Sequence, residues 1–399
     1  MFAGNSIQKY IRFAIGFAIF NSGIIFSLSA QEIRIGLEVK GANESVIYQA
    51  MGEEVWILAG DSTPVLIEKI HLLEQVEMIP TEGKVMLKKG GKVIAREKQF
   101  LFWSNDEDPR FNLISSVKNE SVRTYPDHLE VSIKGATLLI INKTEIERYL
   151  PAVVLAEAGN HKSAEFLKVQ SVSARTYALA NAGKHSKEGF DLCDKTHCQV
   201  YRGLNGMLPW IEEAVKATES EVIIFADSEL VDAVFSANCG GFTANSEDVW
   251  SKEKKYLRAV TDSNYCEGFS NHEWHLMMPR DEFFAKLGKY YKTEVSKYEI
   301  VQDVSGRVKR IELNGNATLA ISGEELRKIF RLKSSKFHVH ESSNMLYIEG
   351  EGFGHGVGLC QDGAFYLSEM GLNYDEIIKH YYQGVEVGRV NNWELRIKN

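Results

Sequence analysis

Alternation of apolar and polar residues governs the chain from residue 31 to about residue 142. Ile33-Arg34-Ile35-Gly36-Leu37, Val55-Trp56-Ile57-Leu58, Lys84-Val85-Met86-Leu87 and Leu129-Glu130-Val131-Ser132-Ile133 follow this pattern, with Gly, Asn and Asp between the runs. A period of two places the apolar side chains on one face of a strand, so residues 31–135 read as a β-rich accessory region. No catalytic constellation is visible in it.

The period changes at Asn142-Lys143-Thr144. Thr144 and Glu147 have the spacing of a capping box for a short helix, Glu145 to Tyr149, and Pro151 suits the start of the next helical turn. Val153-Val154-Leu155-Ala156 is an apolar run that ends in Glu157. Ser163 is placed to cap a second helix carrying Phe166, Leu167, Val169, Val172, Ala174, Tyr177 and Leu179, with Gly183 just past its end. Lys168 and Arg175 are seven residues apart on that helix and project from the same side. A helix from Trp210 to Thr218 and strands from Glu221 to Phe225 and Leu230 to Phe235 lead into Asn238-Cys239-Gly240-Gly241-Phe242-Thr243. Residues 271–349 read as a smaller inserted α+β unit, with helices Asp281 to Lys289 and Gly323 to Phe330 among short strands. The chain returns through Gly350-Glu351-Gly352-Phe353-Gly354-His355-Gly356-Val357-Gly358-Leu359-Cys360-Gln361-Asp362-Gly363-Ala364 to two closing helical stretches. The expected class is therefore α+β, a β-rich N-terminal region followed by a mixed domain over residues 136–399 that contains the insertion.

The first thirty residues change the picture. Lys9 and Arg12 precede a largely apolar run, Phe13 to Phe26, and small residues Ser27, Ser29 and Ala30 follow, which is the layout of a secretory signal peptide at residues 1–30. An exported protein in the periplasm or cell envelope is expected, soluble once processed, since no second run of about 18 apolar residues is present. The chain carries 46 Lys and Arg against 54 Asp and Glu, a formal charge of -8. That balance argues against a nucleic-acid partner and gives no long-range attraction to a polyanion, so a polymeric substrate should be neutral or locally recognised.

Candidate chemistry concentrates after residue 142. A carboxylate delivered by a buried apolar helix is unusual, and partial burial would raise the pKa of Glu157 enough to keep it an acid near neutral pH. Arg175 is a candidate to orient Glu157 or its substrate. Glu247 and Asp248 are the candidates for the second carboxylate that an ordinary glycosidase needs. The alternating glycines 352, 354 and 356 lack the Lys-Ser/Thr of a phosphate loop and read as a slot that presents His355. Lys168, Gln199, Tyr201, Asn238, Thr243, His355 and Gln361 are candidate sugar-contacting residues. Cys193, His197 and Cys198, with His185 eight residues upstream of Cys193, supply the ligands of a closed tetrahedral zinc site; a Cys193–Cys198 disulfide is the alternative. Cys239 and Cys266 are spaced for a disulfide staple, which leaves Cys360 as a buried or free thiol.

Tyr149 to Glu157, Leu167 to Tyr177, Cys193 to Gly203, Asn238 to Thr243 and Gly352 to Ala364 together resemble the SpoIID/LytB family of sporulation protein D and the amidase enhancer. The resemblance covers about residues 136–399 in order and implies action on bacterial peptidoglycan. It implies a lytic transglycosylase that cuts glycan strands, preferably stripped of stem peptides, between N-acetylmuramic acid and N-acetylglucosamine to leave a 1,6-anhydro end. It places the catalytic acid at Glu157 and its supporting arginine at Arg175. Some members bind zinc through two cysteines and two histidines, which favours a structural zinc here and no cofactor for the chemistry. A non-catalytic role as enhancer of a cell-wall amidase is the alternative the family name offers.

Overall fold

The computed structural model describes residues 31–60, 64–226, 229–250, 252–262 and 264–390. The expected signal segment, residues 1–30, lies outside the described residues. Among the described residues no helix is long and apolar enough to cross a membrane.

The alternating segments build two sheets. A seven-stranded sheet runs in the order Leu192–Cys193, Glu32–Leu37, Thr137–Glu145, His128–Lys134, Gln99–Ser104, Glu54–Ala59 and Val65–His71. A six-stranded sheet runs Arg123–Pro126, Arg110–Ser115, Val46–Ala50, Gln75–Thr81, Lys84–Lys89 and Lys92–Glu97. Their apolar faces meet: in Gln99–Ser104 every second residue is buried, and Phe102 stacks on Tyr48 of the other sheet with ring centroids 4.3 Å apart. The edge strand Leu192–Cys193 comes from the cysteine loop and pairs parallel with Ile35 and Gly36. A Cβ at Gly36 would lie 2.8 Å from the Phe190 ring, so glycine there lets the loop dock.

Strand Thr137–Glu145 runs straight into the helical part, whose helices are α1 (Ile146–Ala158), α2 (Ala164–Ala180), α3 (Pro209–Ala217), α4 (Ser246–Trp250), α5 (Arg280–Tyr291), α6 (Gly323–Phe330), α7 (Gln361–Glu369) and α8 (Tyr374–Tyr381). The fold is α+β, as the sequence pattern implied. One cluster of buried residues runs from Ile33 through α1 and α2 to Val385, so the β-rich region and the helices share a core. A separate cluster, Trp274 to Ile348, belongs to the inserted segment and surrounds Leu287, Ile311 and Leu326.

Two helix starts differ from expectation. Glu147 has an arginine to bind and Thr144 donates its hydroxyl to Asp127 Oδ2 at 2.6 Å, so no capping box forms and α1 continues unbroken through Pro151. Ser163 does precede α2, but its hydroxyl bonds Ser368 Oγ at 2.7 Å rather than the helix amides. The expected strand Leu230 to Phe235 survives only at its ends, as Glu229–Leu230 and Phe235–Ser236, and the second piece pairs parallel with Leu359–Cys360. That pairing sets the Asn238 to Thr243 turn against the glycine-rich segment.

Candidate functional site

Helix α1 buries Tyr149, Leu150, Ala152, Val153 and Val154, which mark it as a core helix rather than an amphipathic surface one. It ends where Gly159 takes φ +69°, a conformation that an L side chain resists. Glu157 therefore sits in the last turn, half-buried at the edge of the core. Its Oε1 accepts the Val200 N–H at 2.7 Å. Burial raises its pKa above the ordinary carboxylate value and the Val200 bond opposes that rise. The last-turn position acts with burial, because helix carbonyls present their negative ends there. Gln361, the first residue of α7, donates from Nε2 to the Glu157 carbonyl at 3.1 Å and to Gln170 Oε1 at 3.2 Å.

The structure places Arg175 elsewhere than expected. The side chain is 1% exposed and grips Glu147 with two parallel bonds, Nε to Oε1 and Nη2 to Oε2, both 2.7 Å. Nη1 donates to the Glu221 carbonyl at 3.1 Å and Nη2 also to that of Val215 at 3.3 Å. Glu147 lies ten residues before Glu157, roughly 15 Å along the helix. The arginine thus clamps the start of α1 and does not hold the acid at its end. Sequence spacing could not choose between two glutamates of one helix.

Of the sugar-contacting candidates, Gln361 is the one the fold brings to Glu157. Gln199, Tyr201, Asn238 and Thr243 are each buried, and this corrects their assignment as glycan contacts. Gln199 joins the Tyr149 hydroxyl to the Ala174 carbonyl, and Tyr201 donates to Asn142 Oδ1 at 2.7 Å. Asn238 links the Cys266 carbonyl to Asp362, and Thr243 accepts the Val260 N–H. Lys168 is held by Glu165 Oε1 at 2.7 Å and lies over the Tyr374 ring. His355 Nδ1 accepts the Val357 N–H at 3.0 Å, and burial with the charges of Arg327 and Arg307 pushes its pKa down to about 3, so the ring is neutral. The glycines around it are no ligand slot. A Cβ at Gly354 would lie 2.5 Å from Ser236 Cβ, and one at Gly358 would lie 2.3 Å from the Val234 carbonyl oxygen, so the glycines admit the strand alongside. Glu247 is paired with Arg258, and Asp248 with Lys309 at 2.7 Å, so neither is set up as a partner of Glu157.

Two groups beside Glu157 escaped the sequence reading. The Val200 amide carries no signal in a sequence. Gln170 did carry one, a polar residue on the buried face of α2, 1% exposed with its Nε2 unpartnered.

The cysteine loop brings His185, Cys193, His197 and Cys198 together with their ligand atoms within 4.8 Å of one another. Cys198 Sγ lies 3.4 Å from His185 Nε2 and 3.7 Å from His197 Nδ1, and no disulfide joins the two cysteines. Glu188 Oε1 lies 2.6 Å from His185 Nδ1 and so fixes the tautomer that leaves Nε2 free for a metal. Two sulfurs and two ring nitrogens at this separation fit tetrahedral zinc.

Comparison with known proteins matches these segments to one group. A family model described as SpoIID, stage II sporulation protein, matches residues 134–225, the stretch from the Thr137 strand through α1, α2 and the cysteine loop. An uncharacterized protein of Brachyspira hyodysenteriae is 33% identical over 265 residues, 64% of this chain and 70% of its own length. Stage II sporulation protein D of Bacillus amyloliquefaciens is 26% identical, covering 63% of this chain and 77% of that protein. The amidase enhancer of Bacillus subtilis is 26% identical over 59% of this chain and 39% of its own. With the acid-bearing helix, its arginine clamp and the cysteine loop all inside the matched stretch, the chain belongs to the SpoIID/LytB family.

Proposed function

We propose that the protein is an exported lytic transglycosylase that cleaves denuded peptidoglycan glycan strands, with Glu157 as the single acid and base. The observation that carries the reading is a half-buried carboxyl, raised in pKa by burial, whose side-chain hydrogen bond is to one backbone amide. Glycoside cleavage without water requires one group to protonate the leaving oxygen and then to take the proton of the C6 hydroxyl as it attacks the anomeric carbon. Glu157 can serve both steps. A hydrolase would need a second carboxylate, as base for water or as nucleophile, and the sequence candidates for it are tied up in ion pairs.

The residues His185, Cys193, His197 and Cys198 would hold a structural zinc, a closed site that leaves no open position for chemistry. Its role would be to fix the loop. Val200 follows Cys198 by two residues, so the loop's conformation sets the amide that binds Glu157. Cys198→Ser is expected to lower zinc content by one ion per chain, to cost a few kcal/mol of stability, and to lower cleavage, as read by metal analysis, urea titration and product release.

The pH dependence follows from the acid. Cleavage needs the protonated carboxyl at the outset, so the rate should fall tenfold per pH unit above the raised pKa of Glu157. A pH–rate profile of kcat/KM checks the position of that limb.

The test of the proposal is release of soluble saccharides from purified denuded strands by this protein alone. The name of the amidase-enhancer relative supports a second reading, in which the chain binds the wall and stimulates an amidase. No release from denuded strands, with faster stem-peptide removal when an N-acetylmuramoyl-L-alanine amidase is added to intact wall, would favour that reading.

A further inference from the structure

The three cysteines outside the first cluster are not arranged as a pair and a leftover. Cys239 in the Asn-Cys-Gly-Gly turn, Cys360 at the end of the strand paired beside it, and Cys266 and Asp262 on the returning loop converge on one point. Their four ligand atoms lie within 4.8 Å of one another and all four residues are at 0% exposure. Cys239 Sγ and Cys266 Sγ are 3.7 Å apart, with no bond between them. That separation is far from the roughly 2.05 Å of a disulfide. It matches the edge of about 3.8 Å expected for a tetrahedron with metal–sulfur bonds of about 2.3 Å. Asp262 Oδ2 sits 3.1 Å from Cys239 Sγ and completes the fourth corner.

From this convergence, we infer that Cys239, Cys266, Cys360 and Asp262 hold a second structural zinc ion. The surroundings suit thiolates. Cys360 Sγ faces the backbone N–H of Cys239 at 3.2 Å and of Gly363 at 3.5 Å, and Cys266 Sγ faces the N–H of Gly241 at 3.2 Å. Cys360 is also the cap of α7, where the positive end of the helix favours a thiolate. Asp262 is held by a 2.7 Å bond from the buried Tyr381 hydroxyl to Oδ1, which turns Oδ2 towards the sulfurs. The buried Arg307 guanidinium spends its hydrogen bonds on the Cys239 and Phe242 carbonyls and the Ser305 hydroxyl. A site of three thiolates, one carboxylate and Zn²⁺ is negative overall, and Arg307 lies where that charge is compensated. Two glycines make the room: a Cβ at Gly363 would lie 2.3 Å from Asp262 Oδ2, and one at Gly356 would lie 2.0 Å from Arg307 Nη2.

Four protein ligands leave no open position, so the ion cross-links the turn at 238–243, Asp262, Cys266 and the start of α7. Gln361, which reaches the Glu157 carbonyl, is the residue after Cys360. The inference does not depend on the transglycosylase reading, because its test counts metal and thiols rather than activity.

The full chain, purified without chelator and supplied with zinc alone, is expected to hold two zinc ions by mass-spectrometric metal analysis. Cys198→Ser and Cys360→Ser should each hold one. Titration of the protein unfolded in chelator without reductant should find all five thiols. One zinc per chain that Cys198→Ser loses and Cys360→Ser keeps would overturn the site, and so would three thiols, the count left by a Cys239–Cys266 disulfide. Should Cys360→Ser not fold, cobalt loaded into Cys198→Ser decides the matter. Thiolate-to-cobalt charge-transfer absorption is expected, and its absence removes the second site.

Discussion

Glu157→Gln should fold, bind glycan and release essentially no product. A positioned general acid typically contributes about 10²–10⁴-fold, and here one group is asked to act twice, so the loss should sit near the upper end, on the order of 10⁴-fold. The amide oxygen can still accept the Val200 N–H, so the local structure is preserved. Stability should move in the opposite direction to activity. A carboxyl whose folded pKa is raised by burial contributes stability that is present below its unfolded pKa and is lost as pH rises through the folded one. Glutamine never ionises, so Glu157→Gln should match the wild type in acid and exceed it at mildly alkaline pH. Urea midpoints at the two pH values check this, and a variant less stable than the wild type at both would mean that the carboxylate is a structural ligand of the loop.

The second large effect is expected at Arg175. Arg175→Ala would leave Glu147 without its bidentate partner, holding only the Ser220 N–H, and would take the Nη1 donor from the Glu221 carbonyl, while the Val215 carbonyl keeps Thr218. Breaking a fully buried pair by removing one partner costs about 3–5 kcal/mol, and with Arg175 buried but Glu147 partly open to water the loss should sit at the lower end of that range. Arg175→Lys keeps the charge but cannot form the fork, so it should fall between. The family resemblance and the geometry part company at this residue. If Arg175 supported the acid directly, Arg175→Ala would lose cleavage with stability intact. The clamp predicts that the urea midpoint falls, that Glu147→Gln shows a loss of the same kind, and that activity follows the folded fraction.

The contrast shows what the sequence could carry. The half-buried placement of Glu157 was legible because it closes an apolar run that has to be packed in the core. The strands were legible from their alternation, and α2 from its apolar positions and Gly183. What failed were choices made between distant segments. Glu147 fitted a local cap, and only the packed helices reveal that a buried guanidinium claims it instead. The interleaving of thirteen strand segments into two sheets depends on cross-strand pairings that alternation does not encode. Gln199, Tyr201, Asn238 and Thr243 looked like glycan contacts because polar residues in motifs invite that reading, yet their hydrogen bonds are spent inside the protein. Cysteine spacing misled in the same way: Cys239 and Cys266 looked like a staple that leaves Cys360 over, while the fold gathers these three thiols into one group and Cys193 with Cys198 into another.

Cleavage of the glycan by Glu157 without water is read from the ends of the products. Denuded strands digested in ¹⁸O-labelled water and analysed by mass spectrometry should give 1,6-anhydro-N-acetylmuramic acid ends free of ¹⁸O from the wild type, and none from Glu157→Gln. New reducing ends formed in step with strand shortening, carrying ¹⁸O beyond the exchange seen in an enzyme-free control, would contradict this role of Glu157, because they require attack by water.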